Sequence, residues 1–390
     1  MAKIRVSPRL SSIKPFKVME VLRRAIELSS DGADIVHMAV GEPDFPTQEP
    51  ITIAGRHALM NGSTKYTDAR GLAELRLAVA NYYATDYGLN VDENRIFITP
   101  GASGALLLTT ALLMEPGDEI ILSDPGYPCN RNFLTAFSGS AQMVPVGDAE
   151  NYHLNGLLVD KNWRERTRGV LLASPANPTG AVIGESVLEG IASLVHNQNG
   201  CLISDEIYHG LIYSDAKKIS ALQVSPDAFV LNSFSKYFGM PGWRLGWLVA
   251  PASVAPYLER IAQNLFICPS SISQYAALAA FTPESSDIME AQREEFKARR
   301  DFLLPALRDI GFDVPIEPEG AFYIYAGMPE GFPDSEPFAQ WLLEEHHVAI
   351  TPGTDFGSHL ANRHVRFSYA QPLDRLELGV ERLQRAIQTG

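Results

Sequence analysis

Residues Ser233–Gly246 read SFSKYFGMPGWRLG and directly follow the apolar run Ala228, Phe229, Val230, Leu231. A short run that is apolar at every position, closing in small hydroxyl residues, reads as a buried strand whose carboxyl end opens into a loop. Lys236 sits at that end. Desolvation there lowers an amine pKa, and a neutral amine is the form that condenses with a carbonyl. Arg244, in a Pro-Gly-Trp turn, is a fixed cation suited to a phosphate. A lysine for an aldehyde and an arginine for a phosphate together point to pyridoxal 5′-phosphate (PLP). A single loop lysine is ordinarily a solvated charge, so the reading depends on other segments that end in the same way.

Such segments exist upstream. From about residue 90 to 250 the chain alternates apolar runs with helical patterns: Arg95–Thr99, Glu119–Ser123, Gly169–Ala173, Cys201–Ser204, Phe229–Asn232 and Leu245–Ala250. Strands without polar alternation, separated by amphipathic helices, predict an α/β fold with a mostly parallel sheet covered on both faces. Residues 283–310 read as one long amphipathic helix despite Pro305, and Ala321–Tyr325 and Val365–Tyr369 as strands of a smaller α+β domain. With 390 residues the chain exceeds the roughly 250–300 at which one core stops growing. The expected division is an amino-terminal arm over 1–45 packing with the small domain, a large domain over 46–282 and a small one over 283–390.

Composition narrows the partners. The chain is 46% hydrophobic and 20% charged, with a formal net charge of −14. That argues against nucleic acid or an anionic membrane surface as a partner while allowing a local basic pocket. The start, MAKIRVSPRL, lacks an apolar signal core, and the longest apolar stretch, Ala105–Met114, is too short to span a bilayer. Three scattered cysteines and a His346-His347 pair give no disulfide framework and no metal-ligand spacing. The expectation is a soluble, cytoplasmic protein without metal.

Polar residues cluster at the strand ends, where open α/β sheets bind ligands. RIFIT is followed by PGASGAL, in which Ala102 and Ser103 open a helix whose free amides suit an anion. ILS is followed by DPGYP, presenting Tyr127 for stacking on a flat ring. VLLAS is followed by PANPTG, with Asn177 in a Pro-bounded loop; CLIS is followed by DEIYHG. Asp205, at the buried end of its strand, is costly unless it meets a cation such as a pyridinium nitrogen, and Tyr208 can reach the same ligand.

The set GASGAL, DPGYP, ASPANPTG, SDEIYHGL, SFSKYFGMPGWRLG and HVRFSY closely resembles the fold-type I PLP-dependent aminotransferases of class I and II. GEPDFPT and KYTDARGLAELR extend the resemblance over residues 11–388. It implies a two-half-reaction exchange of an amino group between an L-amino acid and a 2-oxo acid. Lys236 would hold the cofactor covalently and shuttle the proton, Asp205 would pair with the ring nitrogen, and Asn177 and Tyr208 would bind its phenolate oxygen. The Ala102 and Ser103 amides, Ser233 and Arg244 would hold the phosphate, and Tyr127 would stack on the ring. Arg366, with Asn177 and the Gly41 backbone, would grip the substrate carboxylate bidentately. Tyr66 resembles the tyrosine that reaches the phosphate from the neighbouring subunit, implying a homodimer with shared sites.

Two departures stand out. Ala102 replaces the serine or glycine of some relatives, leaving backbone donors in place. No residue clearly matches the second arginine that aspartate-selective members use, although Arg131 follows Tyr127 by one helical turn. A carbon–sulfur or aminocyclopropane-carboxylate-synthase-like lyase of the same fold is the nearest alternative. A non-catalytic ligand sensor is a more distant one.

Overall fold

A computed structural model describes residues 4–214 and 218–389. Its strands, in chain order, are β1 (Val36–His37), β2 (Ile96–Thr99), β3 (Glu119–Asp124), β4 (Ser140–Pro145), β5 (Thr167–Ala173), β6 (Cys201–Asp205), β7 (Phe229–Ser233), β8 (Gly246–Val249), β9 (Tyr323–Gly327), β10 (Val348–Ala349), β11 (Thr351–Pro352) and β12 (His364–Ser368). β2 to β8 form a seven-stranded sheet in the order β2-β8-β7-β6-β5-β3-β4. The β4-β3-β5-β6-β7 block is parallel throughout, and only β8 runs against its neighbours β7 and β2.

Successive side chains of a strand point to opposite faces, and here both faces are covered. Phe97, Ile120, Leu171, Ile203, Leu231 and Leu248 pack on one side with the helix Gly101–Leu113. Ile98, Ile121, Val170, Leu202, Val230 and Val249 pack on the other with the helices Ala73–Tyr87 and Glu185–Asn197. This is why the strands read as unbroken apolar runs. β4 gave no such signal: SAQMVP is an edge strand paired only to β3, and its outer residues reach solvent. β8 carries the same apolar signature as the parallel strands, because burial on two faces says nothing about direction.

A second core lies around the antiparallel sheet β11-β12-β9 and the helices Pro283–Ile310, Ser335–His346 and Leu373–Thr389. The long helix starts at Thr282, whose hydroxyl accepts the Ser285 N–H at 3.4 Å, and ends at Gly311, at φ 107°. Pro305 is accommodated inside it, while Phe296, Leu303 and Leu307 face the core. Truncating one such leucine to alanine costs about 2–5 kcal/mol. The strands fall two residues later (β9) and one earlier (β12) than Ala321–Tyr325 and Val365–Tyr369 suggest. β12 is buried on both faces from Val365 to Ser368. The amino-terminal helix Lys17–Ser30 packs Val18 and Ala25 against Leu343 and Ala349, and β1 pairs in parallel with β10.

Because β2, β3, β5, β6 and β7 share one direction, their carboxyl ends open on one edge of the sheet. β9 and β12 bring Tyr323 and Arg366 to the same place. Among the described residues, no helix is long and apolar enough to cross a membrane.

Candidate active site

That edge holds a cavity of about 370 Å³, within the usual range for small-ligand sites. At one end the chain leaves β2 through Gly101, at φ 70°, where a Cβ would stand 2.6 Å from Arg244 Nη2. The glycine lets the guanidinium lie against the first turn of the helix Gly101–Leu113. The opening amides of a helix have no intrahelical acceptor, so the corner lined by Ala102, Ser103, Ser233 and Arg244 has the donors and charge that suit an anion. Ser233 is ordered by its own loop, its Oγ accepting the Ser235 N–H at 3.0 Å.

In the middle stands Lys236. Its Nζ donates to the Gly41 carbonyl at 2.6 Å and lies near the faces of Tyr208 and Phe322. Burial brings its pKa down to about 8, with Glu42 opposing the shift and Arg366 and Arg244 adding to it. Asp205 occupies the floor at the end of β6. Burial pushes its carboxyl up to about 6, only partly offset by the Ile207 N–H and by Lys236. No cation among the described residues approaches Asp205 within 4 Å. Tyr127 lines the cavity where β3 ends.

At the far end is Arg366, 2% exposed. Nη1 donates to Asn177 Oδ1 at 2.8 Å and Nη2 to the Ala39 carbonyl at 2.5 Å, while Nε has no partner. Its guanidinium lies 4.2 Å from the Tyr323 ring centroid and 4.7 Å from that of Phe356. No carboxylate neutralises it within 4 Å among the described residues. A desolvated cation held in this way is a strong receptor for a ligand carboxylate. Gly41, beside it, has no room for a side chain, since a Cβ would collide with the Tyr323 hydroxyl.

The sequence model of the family described as aminotransferase class I and II matches residues 33–383. The chain belongs to this family. It is 38% identical to a valine–pyruvate aminotransferase of Mycobacterium tuberculosis, with 96% of each chain covered. It is 35% identical to an aspartate aminotransferase of Thermotoga maritima, covering 97% of this chain and 98% of that one. The crystal structure of an aminotransferase from Mycobacterium tuberculosis superposes with a TM-score of 0.95 at 37% identity, over 100% of both chains. The protein is thus an enzyme, a transaminase, with an α/β fold shared by solved members of the family.

In this aminotransferase one cavity gathers Gly41, Ala102, Ser103, Tyr127, Asn177, Asp205, Tyr208, Ser233, Lys236, Arg244 and Arg366. Two candidates lie elsewhere. Tyr66 is 80% exposed, in a separate surface hollow with Lys65 and Arg76. Arg131 donates to the Asp355 carbonyl at 2.8 Å and does not line the cavity.

Tyr323 is the chief residue that the sequence did not disclose. Its hydroxyl is 2.8 Å from that of Tyr208, and its ring packs on Arg366. Within AFYIY nothing distinguishes a site tyrosine from a core one, since only the pairing of β9 with β12 sets it beside the arginine. In the other direction, Glu206 and His209 of the DEIYHG motif turn away from the cavity into the core. Glu206 accepts from Ser204, Ser220 and the Ala221 N–H, and burial keeps His209 neutral, with a pKa of about 3.

Proposed function

We propose that the cavity binds PLP and that the enzyme transfers an amino group between an L-amino acid and a 2-oxo acid in two half-reactions. One observation carries this reading: a lysine of lowered pKa shares the cavity with a carboxylate and a guanidinium, neither of which has a counter-ion within 4 Å among the described residues. The donor set fits the cofactor group by group. The helix start with Ser233 and Arg244 suits a phosphate dianion, Asp205 a protonated ring nitrogen, Asn177 and Tyr208 a phenolate oxygen, and Tyr127 a ring face. When bound, PLP supplies an electron sink for the carbanion formed at the substrate α-carbon.

The remaining chemistry belongs to the chain. Arg366 and Asn177 fix the α-carboxylate, which aims the α-hydrogen at Lys236. With a pKa of about 8, Lys236 has an appreciable neutral fraction near pH 7.5, so its Nζ can take a proton from one carbon and return it to another. Asp205 becomes an anion once a cation faces it, which offsets its burial. Tyr208 and Tyr323 close the wall behind Lys236 and keep water from it. Two further inferences rest on the sequence pattern. Tyr66 serves the phosphate corner of a second copy in a homodimer, and residues 1–45, 46–282 and 283–390 act as arm, large and small domains. The relatives' names favour transfer over the lyase alternative.

Lys236→Ala is the direct test. The purified variant is expected to show no visible absorption from covalently held PLP and to lose several orders of magnitude in turnover with any amino donor. Near-normal turnover would remove the proposal.

A further inference from the structure

The cavity has a third side, which neither the cofactor donors nor the carboxylate receptor occupy. Phe16, Val18 and Met19, at the start of the helix Lys17–Ser30, build it together with Val40 and Phe133. All five are apolar. Phe16 meets Tyr127 edge to face with ring centroids 6.0 Å apart, so the wall continues from the aromatic beside the cofactor position. Met19 lines the cavity and is nonetheless 53% exposed, an apolar side chain left uncovered at its edge.

Asp355 fixes this wall from behind. Its carboxylate accepts the Lys17 N–H at 3.0 Å and the Val18 N–H at 3.3 Å, which pins the helix start. Its backbone carbonyl holds Arg131 at 2.8 Å. The same residue therefore positions the apolar wall and binds one nitrogen of Arg131, which does not line the cavity. The cations that do line the cavity are Lys236, Arg244 and Arg366, and each already has a task at the centre or at one end. The remaining lining charge, apart from Asp205, is Glu42, an anion. A second substrate carboxylate would find no further cation among the residues that line the cavity and a like charge nearby.

We propose that this wall receives the substrate side chain and selects amino acids whose side chain is apolar and uncharged, with Phe16 and Met19 as specificity-determining residues. The proposal rests on the transaminase reading above and adds the class of donor. An apolar side chain gains free energy on leaving water for such a wall. A carboxylate placed there loses its hydration without compensation.

The test uses PLP-loaded enzyme and compares half-reactions with leucine, methionine, alanine, aspartate and glutamate, followed by cofactor absorbance. Calorimetric binding of two unreactive carboxylates, 4-methylpentanoate and succinate, accompanies it. Leucine is expected to exceed aspartate roughly 100-fold in kcat/KM, and 4-methylpentanoate to bind more tightly than succinate. Phe16→Ala should lower the leucine-to-alanine ratio roughly tenfold. Met19→Arg, a change at an exposed position that the fold tolerates, should raise the aspartate-to-leucine ratio by a similar factor. Aspartate matching leucine, or succinate binding the more tightly, would overturn the proposal. If no amino acid reacted, the transaminase reading itself would fall, and the two carboxylate affinities would still decide what the wall accepts.

Discussion

Replacing Arg366 by lysine keeps the charge and removes the fork. The native guanidinium is held by three hydrogen bonds, to Asn177 Oδ1, the Ala39 carbonyl and, more weakly, Thr351 Oγ1, and between the rings of Tyr323 and Phe356. Lysine cannot reproduce that plane, so it presents a point charge whose position is no longer fixed. Breaking a desolvated charge pair costs about 2–5 kcal/mol. At about 1.4 kcal/mol per tenfold, that is a loss of roughly 30- to 5,000-fold in kcat/KM for amino acids and oxo acids alike. The assay is single-turnover reaction of the PLP-loaded variant with an amino acid and, separately, with an amine of matching side chain that lacks the carboxylate. Amines should lose far less. Cofactor retention should stay near native, because Arg366 is not among the groups proposed to hold the cofactor. Equal losses for amine and amino acid would show that Arg366 supports the β12 packing rather than the substrate, and would refute the carboxylate assignment.

Other consequences can be measured directly. Lys236 becomes predominantly neutral above its lowered pKa, so the rate at which the cofactor-free protein captures PLP should rise with pH through about 8 and then level; a rate flat from pH 6.5 to 9 would contradict the lysine assignment. Asp205 has a raised pKa without its partner, so in the cofactor-free protein it contributes stability that is full below its ordinary 3.8 and is lost as pH rises through about 6. Asp205→Asn should therefore raise the melting temperature of the cofactor-free protein at pH 7.5, by about 1–3 kcal/mol in stability, and still abolish most half-reaction activity. A variant that is less stable and fully active would reverse both roles. Tyr66→Phe should weaken PLP retention by about 1.5–3 kcal/mol, one hydrogen bond to a charged group, in a protein that sediments as a dimer; a fully active monomer would remove the shared-site inference.

The legible part of the site was the part written along one direction of the chain. Each parallel strand is apolar throughout because both sheet faces are buried, and those that end in polar residues do so where their carboxyl ends open on the cavity. Asp205, Lys236, Asn177, Tyr127 and the GASGAL turn could therefore be placed by position alone. β4 escaped because an edge strand needs fewer apolar residues. The antiparallel direction of β8 escaped because burial does not encode orientation.

What the tertiary structure decided lies in contacts between segments far apart in sequence. Tyr323 reaches the site only through β9 pairing with β12, and Arg366 only by bonding to Asn177 across the two cores. Arg131 has the spacing of a ligand-facing residue, yet it bonds to Asp355, 224 residues away, and does not line the cavity. Phe16 and Met19 become a cavity wall because Asp355 pins their helix. Hydrophobic periodicity records how each element is buried. Which elements meet depends on packing and charge satisfaction over the whole chain.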